Sequence, residues 1–164
     1  SMFIQVTGPW GFVLGIEHIP LTAEIGNKFT SRSDDIKGTA DSAPSVDQIV
    51  QAEITDHNTW YLETPGIGFG GGNGLYLMAG YTEFDVITNE SLGTGAAYGD
   101  ATVDGTTVGI GLKSTTEHGF FVKLLGTHTD YSDISIASTG SDAASTVTAD
   151  IEATAAKFSL GYNF

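Results

Sequence analysis

The four histidines are the side chains of this sequence best suited to act as a catalytic base: His18, His57, His118 and His128. A hydrolase built on one of them would also need a serine nucleophile and an acid close by. The chain contains no Gly-x-Ser-x-Gly motif, and His118 follows Glu117 in a turn segment, where solvation accounts for both side chains. His57 falls on the polar parity of its segment and is interpreted as a hydrogen-bonded interior residue. We therefore expect no catalytic residue and no enzymatic activity.

Lysines and glutamates form the second set of residues that could do chemistry. Three of the six basic residues share one parity in the last three predicted strands, near the same end. Glutamates at other strands could oppose them, so the pattern predicts a network of ion pairs that fills a narrow barrel. A selective pore needs a wider bore than about eight strands provide. The predicted network contains Lys113, Lys123, Lys157, Glu53 and Glu63, with Glu17 and Glu83 as further carboxylates.

Metal and cofactor sites are not predicted. The acidic segments "SRSDD" (31–35) and "TDYSD" (129–133) offer oxygen ligands, but neither has the spacing of an EF-hand loop. The glycine run "GFGGGNG" (68–74) lacks the Lys-Ser/Thr ending of a phosphate-binding loop. The absence of cysteine removes thiolate ligands and disulfides. Solvated loops explain these segments, so we expect neither a metal nor a cofactor.

Length and composition favour one domain over residues 1–164 with an unusual surface. The apolar share is 40%, the mean hydropathy is +0.03, and the formal net charge is −14. Because nucleic-acid binding requires patches of lysine and arginine, this charge argues against it. No run of about 18 apolar residues could form a membrane helix.

Period-two alternation dominates the chain and predicts an antiparallel, all-β meander. The predicted extended segments are 11–30, 46–65, 74–88, 101–114, 119–137 and 145–164. Long polar connections (31–45, 89–100 and 138–145) alternate with compact ones (8–11, 65–74 and 114–119). Bacterial outer-membrane barrels have short turns at one end and long loops at the other. The segments therefore predict an up-and-down barrel that crosses a membrane.

The alternation does not decide whether the apolar parity faces into the barrel or out of it. Three features favour apolar residues outside, in contact with lipid. Aromatic residues gather near the compact connections, as at a membrane interface. The opposite parity is rich in glycine, threonine and charge, and acidic residues collect at the other rim. The parity of the apolar residues changes near His18 and Pro20, which predicts a β-bulge. The predicted interface aromatics are Trp10, Phe12, Trp60, Phe120, Phe158, Tyr162 and Phe164.

The C-terminal sequence "KFSLGYNF" resembles the assembly signal of outer-membrane barrels. Together with "GYTEFDV", "SLGTGAAYGD", "VDGTTVGIGLK" and "TDYSDISIASTGS", it makes most of the chain similar to the opacity-protein and OmpA-like barrel group of marine alphaproteobacterial type. The resemblance implies a bacterial outer-membrane location, contact with lipid and lipopolysaccharide, and eight strands. It also implies insertion by the barrel assembly machinery. The residues that carry this signal are Phe158, Leu160, Tyr162 and Phe164.

The strand count departs from this group, because the sequence predicts only six full strands and a preceding fragment, "FIQV". A membrane sheet must close so that no edge leaves backbone groups unpaired in lipid. We therefore expect about two further strands, either upstream in the polypeptide or from another chain.

The expected function is a non-enzymatic outer-membrane barrel that supports the envelope or recognises an extracellular partner through acidic loops. A soluble, lipocalin-like barrel that binds a ligand would show the same alternation with the apolar parity inside. Two further alternatives are a narrow pore and a lipid A-modifying barrel enzyme. The enzyme would require His57 or His128.

Overall fold

The computed structural model of the chain describes residues 1–32, 46–91, 97–139 and 146–164. Four residues of the acidic rim expected from the sequence, Asp34, Asp35, Asp41 and Asp142, lie outside the described residues. The same holds for most of the "SRSDD" segment. Apart from a single 3-10 turn at Pro9–Gly11, the secondary structure of the described residues is extended.

Twelve strands make up the described chain, and they confirm the expected all-β, antiparallel class. Val, Ile, Thr and aromatic residues recur at alternate positions in them, and glycine-rich or polar links separate them, which is the composition that favours strands. The strands are β1 (Met2–Thr7), β2 (Val13–Ile19), β3 (Ala23–Arg32), β4 (Val46–Glu63), β5 (Ile67–Gly70), β6 (Asn73–Ser91), β7 (Ala97–Tyr98), β8 (Ala101–Thr115), β9 (Phe120–Tyr131), β10 (Ile134–Thr139), β11 (Thr146–Ala149) and β12 (Glu152–Tyr162).

The main sheet follows the chain from neighbour to neighbour in the order β1-β2-β4-β6-β8-β9-β12. Strand β3 pairs with the first half of β4, and β2 pairs with its second half, so the two together form one interrupted strand beside β4. Strand β5 forms a small hairpin with the start of β6, in a link that the sequence predicts as a turn. Strands β11, β10 and β7 form a separate three-stranded sheet at the long-loop end.

Two irregularities change which face each residue occupies. Strand β2 ends at Ile19 and β3 begins at Ala23, and the register with β4 shifts again between Glu24 and Gly26. The predicted parity change near Pro20 therefore coincides with a break in the strand. In β4 the register shifts beside Asp56, which has a positive φ of 51°. Because one extra residue exchanges the two faces of a strand, residues before and after Asp56 follow opposite parities.

The sheet curls into a half-barrel. Lys157 of β12 reaches Glu17 of β2, with 2.7 Å between Nζ and Oε2, although these strands stand near opposite ends of the sheet order. Lys123 of β9 likewise donates to Gln5 of β1 at 2.8 Å. These contacts require the face that carries the lysines to be concave.

The first and last strands of the sheet run in the same direction. Six successive antiparallel pairings connect β1 to β12, so the direction reverses an even number of times. Within the described residues these two edges do not pair with each other. A cavity of about 850 Å³ lies between them, lined by residues 1–7 of the first edge and 160–164 of the last.

Candidate functional site

The concave face near the compact turns holds two ion pairs that bridge distant strands. Lys123 Nζ lies 2.5 and 2.7 Å from the two carboxylate oxygens of Glu63, and both side chains are about 5% exposed. Lys157 and Glu17 form the second pair, which is more exposed to solvent. Gln5 accepts a further hydrogen bond from Lys123. We call these five residues the ionic layer. A buried charge is tolerated only when it is paired, so each lysine here fixes the position of its carboxylate.

Large aromatic side chains surround the ionic layer, and each lies over a glycine of the neighbouring strand. Tyr61 stands opposite Gly15, Tyr76 opposite Gly111, and Phe121 opposite Gly161. A Cβ atom on any of these glycines would come within 2.2 to 2.5 Å of the aromatic ring. Glycine at these positions lets the rings lie flat against the backbone, as in the cross-strand packing that offsets the low strand propensity of glycine.

Lys113 belongs to the same interior but has a different environment. Its Nζ lies 4.5 Å from the centroid of the Phe121 ring, and Lys123 lies 5.7 Å from that same ring. Within the described part of the chain, no carboxylate lies at ion-pair distance from Lys113. The structure thus brings two of the three predicted lysines into ion pairs and places the third beside them over an aromatic face.

A row of threonines crosses the concave face above the ionic layer, that is, farther from the compact turns. We use "lower" for the part of the sheet near the compact turns and "upper" for the part near the long connections. The Oγ1 atoms of Thr59, Thr82, Thr107 and Thr129 form consecutive hydrogen bonds of 3.1, 2.8 and 2.8 Å across β4, β6, β8 and β9. All four side chains are buried. We call this row the threonine belt. Each hydroxyl can donate one hydrogen bond and accept another, so the three bonds of the row use three of its four hydroxyl hydrogens without water.

Above the threonine belt, the concave face becomes apolar. Phe84, Val86 and Val103 are at most 7% exposed and form one cluster. The ring of Tyr131 meets Phe84 edge-on, with 5.1 Å between centroids. We call this cluster the apolar cup. Ala52, Ile54, Tyr131 and Ile134 also pack against it. The interior of the sheet therefore changes from charged to hydroxylated to apolar along its length.

On the convex face the apolar residues lie near the compact turns and the charged residues lie farther from them, opposite to the concave face. Near the compact turns it carries exposed aliphatic residues such as Leu62, Ile110 and Leu160. Beyond Trp60 and Tyr81, whose rings lie 6.0 Å apart, the same face carries carboxylates. The exposed large apolar residues of the lower convex face are Ile4, Val6, Leu14, Ile16, Leu62, Leu77, Val108, Ile110, Leu112, Val122, Leu124, Phe158 and Leu160.

The predicted interface aromatics occupy this exposed surface. Phe120 and Tyr162 meet edge-on at 4.9 Å between centroids, and Tyr162 contacts Phe164 at 5.4 Å. These three residues gather at the compact end, whereas Trp60 lies farther up the convex face beside Tyr81. Every predicted interface residue is exposed: Trp10, Phe12, Trp60, Phe120, Phe158, Tyr162 and Phe164.

Glu53 is not brought to the lysines. It follows the interior parity of Glu63 in the sequence, but the irregularity at Asp56 lies between the two residues. Above it, Ile54 faces the apolar cup and Glu53 pairs across the sheet with Ile87. Gln51 donates a hydrogen bond of 3.2 Å to the Glu53 carboxylate. The carboxylate that pairs with Lys157 is instead Glu17, which the sequence indicates only as a further candidate.

The histidines do not form a common site. The His57 ring stacks on Phe84 at 6.0 Å on the concave face, and its Nδ1 atom is buried without a hydrogen-bond partner. His128 is exposed on the convex face, where its Nδ1 lies 3.2 Å from Thr154 Oγ1. His18 Nδ1 lies 2.9 Å from Asn58 Oδ1. The two histidines considered for catalysis thus lie on opposite faces of the sheet.

Among the residues that the structure describes, no group of three His, Asp or Glu side chains could hold a metal ion. The "TDYSD" segment contains an ordinary loop contact, because Ser132 donates to the backbone oxygen of Asp104 at 3.0 Å. The described residues also contain no helix of the length and hydrophobicity needed to cross a bilayer.

Comparisons with known proteins give no relative for this chain. A scan against models of protein families found no match, and searches of curated proteins and of solved structures found no significant match either. The resemblance to outer-membrane barrels therefore rests on the sequence segments alone.

Sequence reasoning missed the threonine belt and the role of Gln5. The four threonines share the interior parity of their strands, but their mutual contact depends on the register of four strands, which alternation does not fix. Gln5 lies in the "FIQV" fragment, whose pairing with β2 could not be foreseen from so short a segment.

Proposed function

We propose that this chain is a non-enzymatic transmembrane barrel of the bacterial outer membrane. The observation that carries the proposal is the arrangement of the lower sheet, with ion pairs on the concave face and aliphatic side chains exposed on the convex face. In water, so large an apolar surface would be strongly unfavourable, since each Å² removed from water contributes about 25 cal/mol. Hydrocarbon is the environment in which this arrangement is stable.

The convex apolar surface also has a suitable height. Outward residues of β12 from Ala156 to Tyr162, and Phe164 two residues beyond the end of the strand, are exposed and apolar. Eight residue steps at about 3.4 Å each correspond to about 27 Å of strand, or about 20 Å along the membrane normal at the usual tilt. This is close to the apolar band of about 25 Å in outer-membrane barrels. Phe164 then lies at the interface on the side of the compact turns.

A membrane location requires closure of the sheet, and the strand directions define what closes it. Because β1 and β12 run in the same direction, an antiparallel barrel needs an odd number of strands between them. When β2 and β3 are counted as a single strand, the sheet has seven strands in a row. One further strand would complete a barrel of eight. We propose that one further strand, running opposite to both edges, occupies the cavity between them. From the sequence alone, about two further strands are expected.

Above Trp60 and Tyr81 the barrel is proposed to project beyond the lipid. There the concave face is apolar and the convex face is acidic, as in a protein surrounded by water. The acidic rim then lies on the extracellular side, where it supports envelope integrity or recognition of an extracellular partner. Insertion would depend on lipopolysaccharide-containing membrane and on the assembly machinery that reads Phe158, Leu160, Tyr162 and Phe164.

Fluorescence of the two tryptophans tests the orientation directly. In a Trp10→Phe variant, Trp60 is the remaining tryptophan. When this variant is folded into vesicles containing brominated acyl chains, we expect strong quenching and a requirement for detergent during extraction. A soluble, lipocalin-like barrel would remain in the supernatant, and its Trp60 would be insensitive to bromine. Heat-modifiable mobility on gels provides an independent check of the folded barrel.

Cysteine pairs test the number of strands at closure, because the natural chain has no cysteine. A disulfide requires Cα atoms within about 7 Å, whereas two strand spacings separate edges that flank one strand. Ile4→Cys combined with Leu160→Cys, Phe158→Cys or Tyr162→Cys should not form a disulfide in the inserted protein. The cross-strand pair Val122→Cys and Leu160→Cys should form one. A disulfide from Ile4→Cys would show that β1 and β12 pair directly.

A further inference from the structure

Both edges of the sheet become apolar and open directly above one of the ion pairs. The contact between Lys157 and Glu17 brings β12 and β2 to the same level on the concave face. Two residues farther from the compact turns, each strand places an apolar side chain on that face, Ala155 on β12 and Ile19 on β2. Ala155 is exposed, although Thr127, its partner on β9, is buried. The concave face at the edges is therefore uncovered above the ion pair.

Exposure increases where the first of these edges continues into β3. Leu21 and Ile25 are 76% and 55% exposed. Ala23 is exposed as well, and it pairs with Ile54, which packs against the apolar cup. In the middle of the cup, by contrast, Val103 is 1% exposed. The cup is thus closed at its centre and open on the side between the two edges.

We call the opening between residues 19–25 and residues 153–155 the upper gap. Ile19 pairs with His57, which lies above Trp60 in β4, so the upper gap lies above the proposed lipid boundary. Lipid therefore does not account for the apolar residues exposed there. Contact of these residues with water is unfavourable, and a cover with an apolar surface would remove it.

The strand edges define the direction of such a cover. Among the described residues, β3 pairs with β4 alone, and it runs in the direction of β2 because both are antiparallel to β4. A strand antiparallel to β3 would run in the direction of β1 and lie in line with it, since β1 is the antiparallel neighbour of β2. The strand proposed to close the sheet runs the opposite way and would border the upper part of β12. Two antiparallel strands therefore fit the upper gap.

We propose that a β-hairpin with apolar inward residues covers the upper gap. One arm is the upper half of the closing strand, so this inference rests on the closure proposed above. The other arm continues the line of β1 along β3 and leaves the count of eight strands unchanged. At this level the inward residues of both arms are apolar and the outward ones polar. In the lower half of the closing strand the pattern is reversed, so the segment is recognised by an apolar parity that changes along its length.

Amide hydrogen exchange of the natural full-length protein, folded in detergent micelles, tests the hairpin without any substitution. In an antiparallel strand, alternate residues direct their amides to opposite neighbours. Residues 152–156 of β12 and residues 23–32 of β3 report on the two sides of the upper gap. With the hairpin in place, consecutive amides in both segments should exchange about 100-fold or more slowly than unprotected ones. Open edges would protect alternate amides alone.

The other outcomes separate this inference from the proposals on which it rests. Alternating protection in residues 152–156, together with continuous protection in residues 158–162, would overturn the hairpin and leave the closure of the lower sheet intact. Continuous protection in β12 but not in β3 would overturn the second arm, and with it the hairpin. Protection that is lost when the protein is diluted would assign the cover to a second copy and overturn the proposal. The lipid orientation is measured separately by quenching of Trp60.

One pair of substitutions tests the apolar character of the cover. Ala155→Asn places an amide on the concave face of β12, where an apolar hairpin would leave it without a hydrogen-bond partner. Thr154→Asn places the same group on the convex face of β12, where Thr154 is exposed. We expect Ala155→Asn to lower the urea concentration at the midpoint of unfolding, and Thr154→Asn to change it little. An equal decrease in both variants would show that the inward residues of the cover are not apolar, and the proposal would fail.

Discussion

The lower and upper parts of the same sheet place polar and apolar residues on opposite faces. Below Asp56, ion pairs occupy the concave face and aliphatic side chains cover the convex face. Above it, the apolar cup occupies the concave face, and carboxylates such as Asp104 lie on the convex face. A sheet in a single solvent would keep one arrangement throughout. The reversal is the arrangement expected from the proposed function, in which the lower part of the sheet lies in lipid and the upper part in water.

The threonine belt marks the level at which the two arrangements meet. On the convex face, Trp60 and Tyr81 lie at the same level, since Thr59 precedes Trp60 and Thr82 follows Tyr81. The β4 irregularity lies just above. Its extra residue moves Glu53 away from the interior and brings Ile54 in, so one local distortion exchanges the two faces of the strand at this level.

The largest expected effect comes from breaking the buried ion pair of the lower part. Lys123→Met leaves the Glu63 carboxylate buried without its partner, which should destabilise the fold by about 3–5 kcal/mol. Lys123→Met combined with Glu63→Met removes both charges and should recover most of this loss. Unfolding in urea, from lipid vesicles or detergent, measures both. If the double variant is no more stable than the single one, the charge pairing is not what holds the lower interior together.

The next effect compares one substitution at two heights of the same convex face. Ile110→Arg places a charge in the lower apolar surface of β8 and should cost about 2–4 kcal/mol if that surface lies in hydrocarbon. Thr102→Arg places the same charge higher on β8, where Asp85 accepts a hydrogen bond from Thr102. The Thr102→Arg substitution should lower the free energy of unfolding by less than about 1 kcal/mol. Equal costs at the two positions would argue against a lipid boundary between them.

The sequence predicts the lower part of the molecule better than the upper part. Strict alternation around Ile110, Leu124 and Leu160 predicts which residues the structure exposes on its convex face. The parity of Lys123 and Glu63 likewise predicts residues that the structure pairs. Above the irregularity, the same parity rule misplaces Glu53, because a bulge depends on backbone geometry at one residue. The threonine contacts depend on strand register, and the number of strands proposed to close the sheet depends on strand direction, neither of which periodicity specifies.

A smaller effect is expected from the glycines beneath the interior rings. Gly111→Ala places a methyl group where the Tyr76 ring lies, and the ring must move. Overpacking of this kind should cost about 1–3 kcal/mol in the free energy of unfolding. Gly126→Ala on the convex face of β9 is the matched control, because its nearest neighbour would lie at an ordinary 3.9 Å. A similar loss in both variants would show that strand propensity, rather than the ring contact, accounts for the cost.

The smallest effect concerns the threonine belt, where position within the row sets the expected loss. Thr82 lies between two partners, whereas Thr59 has one neighbour in the row. Thr82→Val removes two hydrogen bonds and leaves hydroxyls on both sides short of a partner, so it should cost about 2 kcal/mol. Thr59→Val removes one and should cost about half as much. A double-mutant cycle that combines Thr82→Val with Thr107→Val should give a coupling energy close to that of one hydrogen bond. If Thr82→Val and Thr59→Val cost the same, the belt does not act as a continuous row, and the boundary between the two parts of the sheet is maintained by the packing of the cup alone.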